Sequence, residues 1–120
     1  MYTIRSTITP TLYWTEKDNT IALQARDETD KSQLWKIVEN GDEKLILNVK
    51  SAHAVTYDAS NPLLRLEPNE ESIKQKFKLA VPGVTSIEYF LDDSQYAIPD
   101  KSFVGSGTDN KKQWNISAMK

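Results

Sequence analysis

His53 is the only histidine in the 120 residues, and cysteine is absent. Those two facts decide most of the chemistry open to the chain. A nucleophilic serine would need His53 as its base and an acidic residue to orient it, and no serine stands in a Gly-x-Ser-x-Gly turn. Without cysteine there is no disulfide, no thiolate metal site and no thiolate nucleophile. A histidine with no second His or Cys beside it makes a poor metal centre and serves equally well as a surface or strand-edge residue. Carboxylates are plentiful, as on any acidic surface, but no spacing singles out two for the acid and base work of glycoside cleavage. Gly105-Ser106-Gly107 stands between late strands rather than at the head of a helix, where a phosphate-cradling loop belongs. No catalytic role, metal or cofactor is expected.

Charge narrows the partners. The net charge is −2 and the basic residues are scattered, so no basic stripe marks a phosphate-backbone binder, and nucleic acid is an unpromising partner. The N-terminal MYTIRSTITP lacks a basic segment followed by an apolar run, and no later stretch approaches the roughly 18 apolar residues of a membrane span. A soluble, cytoplasmic protein without membrane insertion is the expectation. Asn115-Ile116-Ser117 matches a glycosylation acceptor, but it falls within an expected strand and is set aside.

The elements that must position any site are short. Alternating or β-rich runs recur throughout, among them YTIRS, TLYWT, TIALQ, QLWKIV, KLILNV, AVTYD, SIEYFL, SFVGS and QWNIS, about twelve in all. Between them lie groups such as EKDN, ENGD, DASNP and PDKS, whose side chains favour local bonds or special dihedrals. The stretch PNEESIKQKF has helix formers but no partners on an apolar face, and reads as a loop or a single 3₁₀ turn. The chain is expected to be all-β.

Internal repetition sets the order of these strands. Gln33-Leu34-Trp35-Lys36-Ile37 returns as Gln75-Lys76-Phe77-Lys78-Leu79, and more loosely as Lys112-Gln113-Trp114-Asn115-Ile116. Upstream, Ile4 precedes Trp35 by the same interval as Ile46 precedes Phe77, and the same spacing rule pairs Tyr13 with Val55 and Ile21 with Leu63. Tyr89, Tyr96 and Phe103 mark the first strands of a compressed third repeat. Four strands in each of three repeats give a pseudo-threefold barrel of six strands capped by three hairpins, the β-trefoil, with Trp35, Phe77 and Trp114 as equivalent core aromatics. A sandwich with chance repetition is the competing architecture. The expectation is one β-trefoil domain over residues 1–120, with repeats at approximately 1–41, 42–82 and 83–120.

Gln33-Leu34-Trp35 resembles the QxW signature of ricin B-chain-like lectins, and the cysteine-free layout from Tyr2 to Ser117 is most similar to small mushroom β-trefoil lectins. The second copy carries Phe77 for Trp and the third Lys112 for Gln. The resemblance implies glycan binding in shallow depressions, where carboxylates and amides take sugar hydroxyls and an aromatic ring covers the apolar C–H face. The galactose subtype of the family carries Asp, an aromatic and then Asn before the QxW. Repeat one offers Trp14 and Asp18 but Ser32, repeat two Tyr57 and Asp58 but Lys74, and repeat three Asp92, Asp93 and Tyr96 with a displaced Asn110. By resemblance to mushroom lectins with a single site in the second repeat, the candidate carbohydrate contacts are Tyr57, Asp58, Asn61 and Asn69, and the galactose pattern adds Asp92 and Asn110 in the third. Each has an ordinary structural use as well: a strand tyrosine at the rim, or a turn former bonded to its own backbone. The partners implied are glycans or glycoproteins, in a defence or storage setting, and crosslinking would need several sites or a homodimer.

A second class of function fits the same scaffold. Cysteine-free mushroom trefoils also include protease inhibitors of mycocypin-like type, whose preordered loops enter a protease cleft. Arg26 in QARDETD and Asn61 in ASNP are the loop residues such a reading would use. A trefoil serving only for protein contact would instead announce itself by an apolar surface patch.

Overall fold

Short strands divided by turn formers cannot bury a core singly, so they pair. In a computed structural model, which describes residues 1–119, they form thirteen strands and two single-turn 3₁₀ helices, Lys31–Gln33 and Ile73–Gln75. The strands are β1 (Tyr2–Ser6), β2 (Leu12–Lys17), β3 (Thr20–Ala25), β4 (Trp35–Asn40), β5 (Glu43–Asn48), β6 (Ala54–Thr56), β7 (Arg65–Glu67), β8 (Phe77–Lys78), β9 (Gly83–Thr85), β10 (Glu88–Tyr89), β11 (Tyr96–Asp100), β12 (Phe103–Gly107) and β13 (Trp114–Ala118). The second 3₁₀ turn lies where PNEESIKQKF predicts one.

The pairings close a barrel. β1 pairs with β4 and β13, β4 with β5, β5 with β8, β8 with β10, and β13 with β9. β9 and β10 are two parts of one segment, Gly83–Tyr89, interrupted at Ser86-Ile87; the first part pairs toward β13 and the second toward β8. Six segments therefore complete the ring and leave no open barrel edge. Hairpins β2–β3, β6–β7 and β11–β12 cap it. This is the β-trefoil.

Three backbone hydrogen bonds join the hairpins in a cycle: Leu23 N–H to the Ser102 carbonyl at 2.7 Å, Leu66 N–H to Asn19 at 2.8 Å, and Ser106 N–H to Pro62 at 3.1 Å. The cycle identifies equivalent positions directly. Ile21, Leu64 and Val104 correspond, and all three are fully buried. The sequence spacing pairs Ile21 with Leu63 and Tyr13 with Val55; the structure moves the partners by one residue, to Leu64 and to Trp14. Between hairpin and aromatic repeat two is one residue shorter, and within the hairpin it is two residues longer, so the two shifts run in opposite directions and burial rather than interval decides the register.

Trp35, Phe77 and Trp114 are fully buried at the barrel centre with Ile4, Ile46, Ile87 and Ile116. Trp35 Nε1 donates to the Trp14 carbonyl at 3.1 Å and Trp114 Nε1 to the Ala97 carbonyl at 2.9 Å. Trp14 meets Trp35 and Trp114 edge to face, at centroid separations of 5.8 and 5.3 Å. Val55 and Ala97 are far smaller at the corresponding positions, and Tyr57 and Tyr89 occupy the core alongside Phe77.

The glutamine of the repeated motif ties each 3₁₀ turn to its hairpin. Gln33 Nε2 donates to the Ala25 carbonyl at 2.8 Å and to Thr15 Oγ1 at 3.1 Å, while its Oε1 accepts from Asp27 N–H at 2.8 Å. Gln75 donates to the Pro68 carbonyl at 2.9 Å and to Thr56 Oγ1 at 3.1 Å, and accepts from Glu70 N–H at 2.9 Å. In repeat three the two positions hold Lys112 and Ile98, so amide and hydroxyl are lost together.

Candidate functional site

Four of the six candidate residues build the loops they sit on. Asp58 Oδ1 accepts from the Ser60 N–H at 3.0 Å and hydroxyl at 2.8 Å, and Asp92 Oδ1 accepts from Ser94 in the same two ways at 3.1 and 2.7 Å. Asn61 Oδ1 takes the Leu63 N–H at 3.0 Å and Asn69 Oδ1 the Glu71 N–H at 3.1 Å. These are side-chain turns in which a short polar group satisfies the backbone two residues on. Each aspartate keeps its other carboxylate oxygen unbonded by any described residue. Asp27 and Asp30 repeat the device in the first repeat, with Thr29 and Ser32 as donors.

The loop after β6, with Tyr57 and Asp58, and the segment after β10, with Asp92, are joined through the packed rings of Tyr57 and Tyr89. Tyr57 is 7% exposed, with its ring against Tyr89 at a centroid separation of 4.3 Å and its backbone N–H on the Lys74 carbonyl at 2.8 Å. Its ring faces therefore belong to the core, and it offers a rim of the ring rather than a stacking surface. Burial first, then the carboxylates of Asp92 and Asp58, push its hydroxyl above the ordinary tyrosine range. Asp58 is held below the ordinary carboxylate range, chiefly by the Ser60 N–H and hydroxyl, with Lys74 and Arg65 adding attraction. Asn61 follows on the same loop, its N–H on the Asp58 carbonyl at 2.9 Å. Asn69 serves a different turn, Asn110 lies exposed before β13, and no hydrogen bond among the described residues links either to the group.

Two exposed apolar side chains lie nearby in the chain. Leu91, beside Asp92, is 42% exposed, and Ile73, beside Lys74, is 51% exposed. Phe90 is half-buried with Lys78 Nζ 4.8 Å from its ring centre. The sequence reading selected neither Phe90 nor Leu91, although their adjacency to Asp92 was the available signal.

A second feature lies on the hairpin cap. Pro62 and Leu63 face the turn Asp100–Phe103 across an open depression of about 410 Å³. Gly105 lets the two sides approach: a Cβ there would stand 2.7 Å from the Pro62 carbonyl oxygen and 3.0 Å from Asp100 Cβ. Two further depressions, of about 190 and 300 Å³, lie beside the Glu43–Lys76 ion pair and beside Met1 and Leu47.

The loop residues of the inhibitor reading are tied down. Arg26 Nη1 donates to Gln33 Oε1 at 2.9 Å and to the Asp27 carbonyl at 2.6 Å, so its guanidinium braces its own repeat. The Asn61 side chain caps Leu63 N–H. Among the described residues, no helix is long and apolar enough to cross a membrane, and no group of three His, Cys, Asp or Glu side chains gathers to hold a metal.

No protein-family model matches the chain, and no curated protein matches it in sequence. Solved structures do match. A GlcNAcα1-4Gal-releasing endo-β-galactosidase from Clostridium perfringens superposes with a TM-score of 0.83 at 12% identity, over 96% of this chain and 31% of the enzyme. ThreeFoil, a designed threefold-symmetric protein, matches at 0.81 and 9% identity over 98% of both chains. Polyporus squamosus lectin, bound to the epitope Neu5Acα2-6Galβ1-4GlcNAc, matches at 0.79 and 12% identity over 96% of this chain and 47% of the lectin. The chain thus spans less than a third of the galactosidase and less than half of the lectin. At such identities the likeness is one of fold, and it agrees with the strand pairing: the chain is a β-trefoil.

Proposed function

We propose that the chain is a glycan-binding module of lectin type, acting through shallow surface sites without catalysis. The observation that carries the reading is the matched pair of Asp–Ser turns, Asp58 and Asp92, on the two loops that follow the packed rings of Tyr57 and Tyr89. In each aspartate a serine holds one oxygen and leaves the other for a sugar hydroxyl, so the acceptors are oriented before a ligand arrives. Leu91 and Ile73 supply apolar surface for the C–H side of a sugar ring. A trefoil lectin with bound glycan among the structural neighbours supports the reading, while the tethered Arg26 weighs against a protease-inhibiting loop at that position.

Retention of the protein on immobilised glycoproteins tests it. Binding should compete with free glycan and should weaken about tenfold or more in Asp92→Asn, a change equal to about 1.4 kcal/mol. Asn can still cap Ser94, so the turn and the melting temperature should survive. Retention that persists after the glycans are removed enzymatically would contradict the proposal.

A further inference from the structure

We infer that the depression between the β6–β7 loop and the β11–β12 turn is a second saccharide site, for a neutral pyranose, with Asp100 taking sugar hydroxyls and Phe103 covering the sugar's C–H face. The inference rests on the glycan-binding reading and adds a location and a ligand class to it.

Register brings the two groups together. Asp100 and Phe103 are the last opposed pair of the hairpin, joined by the two-residue turn Lys101-Ser102. Directly opposed residues in an antiparallel pair point to the same face, with Cβ atoms about 5 Å apart. A carboxylate and an aromatic ring thus stand side by side at the mouth of the opening. Pro62 and Leu63 continue the apolar wall from a different repeat, and Ser102 adds a hydroxyl at the rim. The volume of about 410 Å³ falls within the range of ligand sites, and its open form suits a flat ring more than an extended chain.

Asp100 differs from every candidate aspartate above. It is half-buried, yet no described residue donates a hydrogen bond to its carboxylate or forms an ion pair with it. Partial burial without a donor leaves acceptor capacity that ligand hydroxyls can fill. An acidic sugar would bring a second negative charge against this group, which favours a neutral one. Lys101, at the tip of the turn, is held at a φ of 56°, in the left-handed region that costs a side-chain-bearing residue about 1 kcal/mol or more.

The pseudo-threefold symmetry supplies internal controls. The corresponding last pair of the first hairpin is Lys17 and Thr20, which has neither carboxylate nor ring. The second hairpin replaces the tight turn with a long loop between Thr56 and Arg65. The combination occurs once, in repeat three.

Backbone amide shifts of isotopically labelled full-length protein, followed during titration with methyl glycosides of neutral hexoses and with sialic acid, test the inference. Shifts at Leu63 and at Lys101, Ser102 and Phe103 are expected with at least one neutral glycoside and not with sialic acid. Phe103→Leu, which keeps apolar bulk but removes the ring, and Asp100→Asn, which keeps the turn, should each weaken that response about tenfold. If Phe103→Leu unfolds, Asp100→Asn alone decides. Shifts confined to the loops of Asp58 and Asp92 would overturn this site and leave the glycan-binding reading standing. A response at the cap to sialic acid alone would overturn the neutral-sugar assignment. No response at either surface would overturn both.

Discussion

Gln33 and Gln75, 42 positions apart, make the same bonds to the same kinds of partner: each amide nitrogen reaches a threonine hydroxyl at 3.1 Å and a loop carbonyl, and each amide oxygen takes a loop N–H. The repeated glutamine is therefore a brace between a 3₁₀ turn and its hairpin, and it is buried in both repeats.

Replacing either glutamine by alanine removes the amide that a buried threonine hydroxyl accepts from and the partners of a loop carbonyl and a loop N–H, while the hydroxyl keeps its own bond to a strand carbonyl. Each variant should lose about 2 to 3 kcal/mol of stability, and because the two circuits share no partner the double variant should lose the sum to within about 0.5 kcal/mol. Urea titration of the single and double variants measures it. A double variant no worse than one single would show that the braces act as one unit.

Phe77→Trp restores the repeated motif yet should destabilise the protein. The Phe77 ring meets Tyr89 edge to face at 5.5 Å, and Tyr89 in turn lies on Tyr57, so the space that a larger ring needs is taken. Overpacking of this kind costs about 1 to 3 kcal/mol. A melting temperature above that of the parent would mean that the Val55 carbonyl gains an indole donor without such conflict.

Alkaline pH should loosen the second and third repeats. Burial, followed by the neighbouring Asp92 and Asp58, raises Tyr57 above its ordinary value of 10.0, and burial raises Tyr89 further. In the unfolded chain both phenols ionise near their ordinary value while the folded chain still holds their protons. Their stabilising contribution is thus complete below pH 10 and falls away as pH rises through the folded-state values. Urea midpoints should drop above pH 10, and the drop should be smaller in Tyr57→Phe. An equal drop in parent and variant would contradict this assignment.

The architecture was readable because Trp35, Phe77 and Trp114 must be large and apolar wherever three repeats converge. Register was harder: a connection to the aromatic one residue shorter in repeat two misaligns Ile21 with Leu63, a hairpin two residues longer misaligns Tyr13 with Val55, and burial of Leu64 and Trp14 corrects both. The loss of the third brace could be seen as Lys112 in place of glutamine, but its reason, Ile98 in place of threonine, needs the hairpin pairing. At the candidate site, the Asp-x-Ser pattern of Asp58 and Asp92 is visible in the chain, whereas the ring contact that joins their loops pairs residues of different repeats. Burial of the Tyr57 ring follows from Tyr89, 32 positions away. Asp100 and Phe103 escape notice because a plain turn sequence acquires its depression only from Pro62 and Leu63 of the preceding repeat.

Glycan binding itself is tested most directly by applying the labelled protein to a broad glycan array beside a folded Asp58→Asn, Asp92→Asn double variant. Selective binding to a defined set of glycans, reduced about tenfold or more in the variant, is the predicted result. A folded parent protein that binds no glycan on the array, or a variant that binds as the parent does, would contradict the assignment of those carboxylates as the sugar-contacting groups.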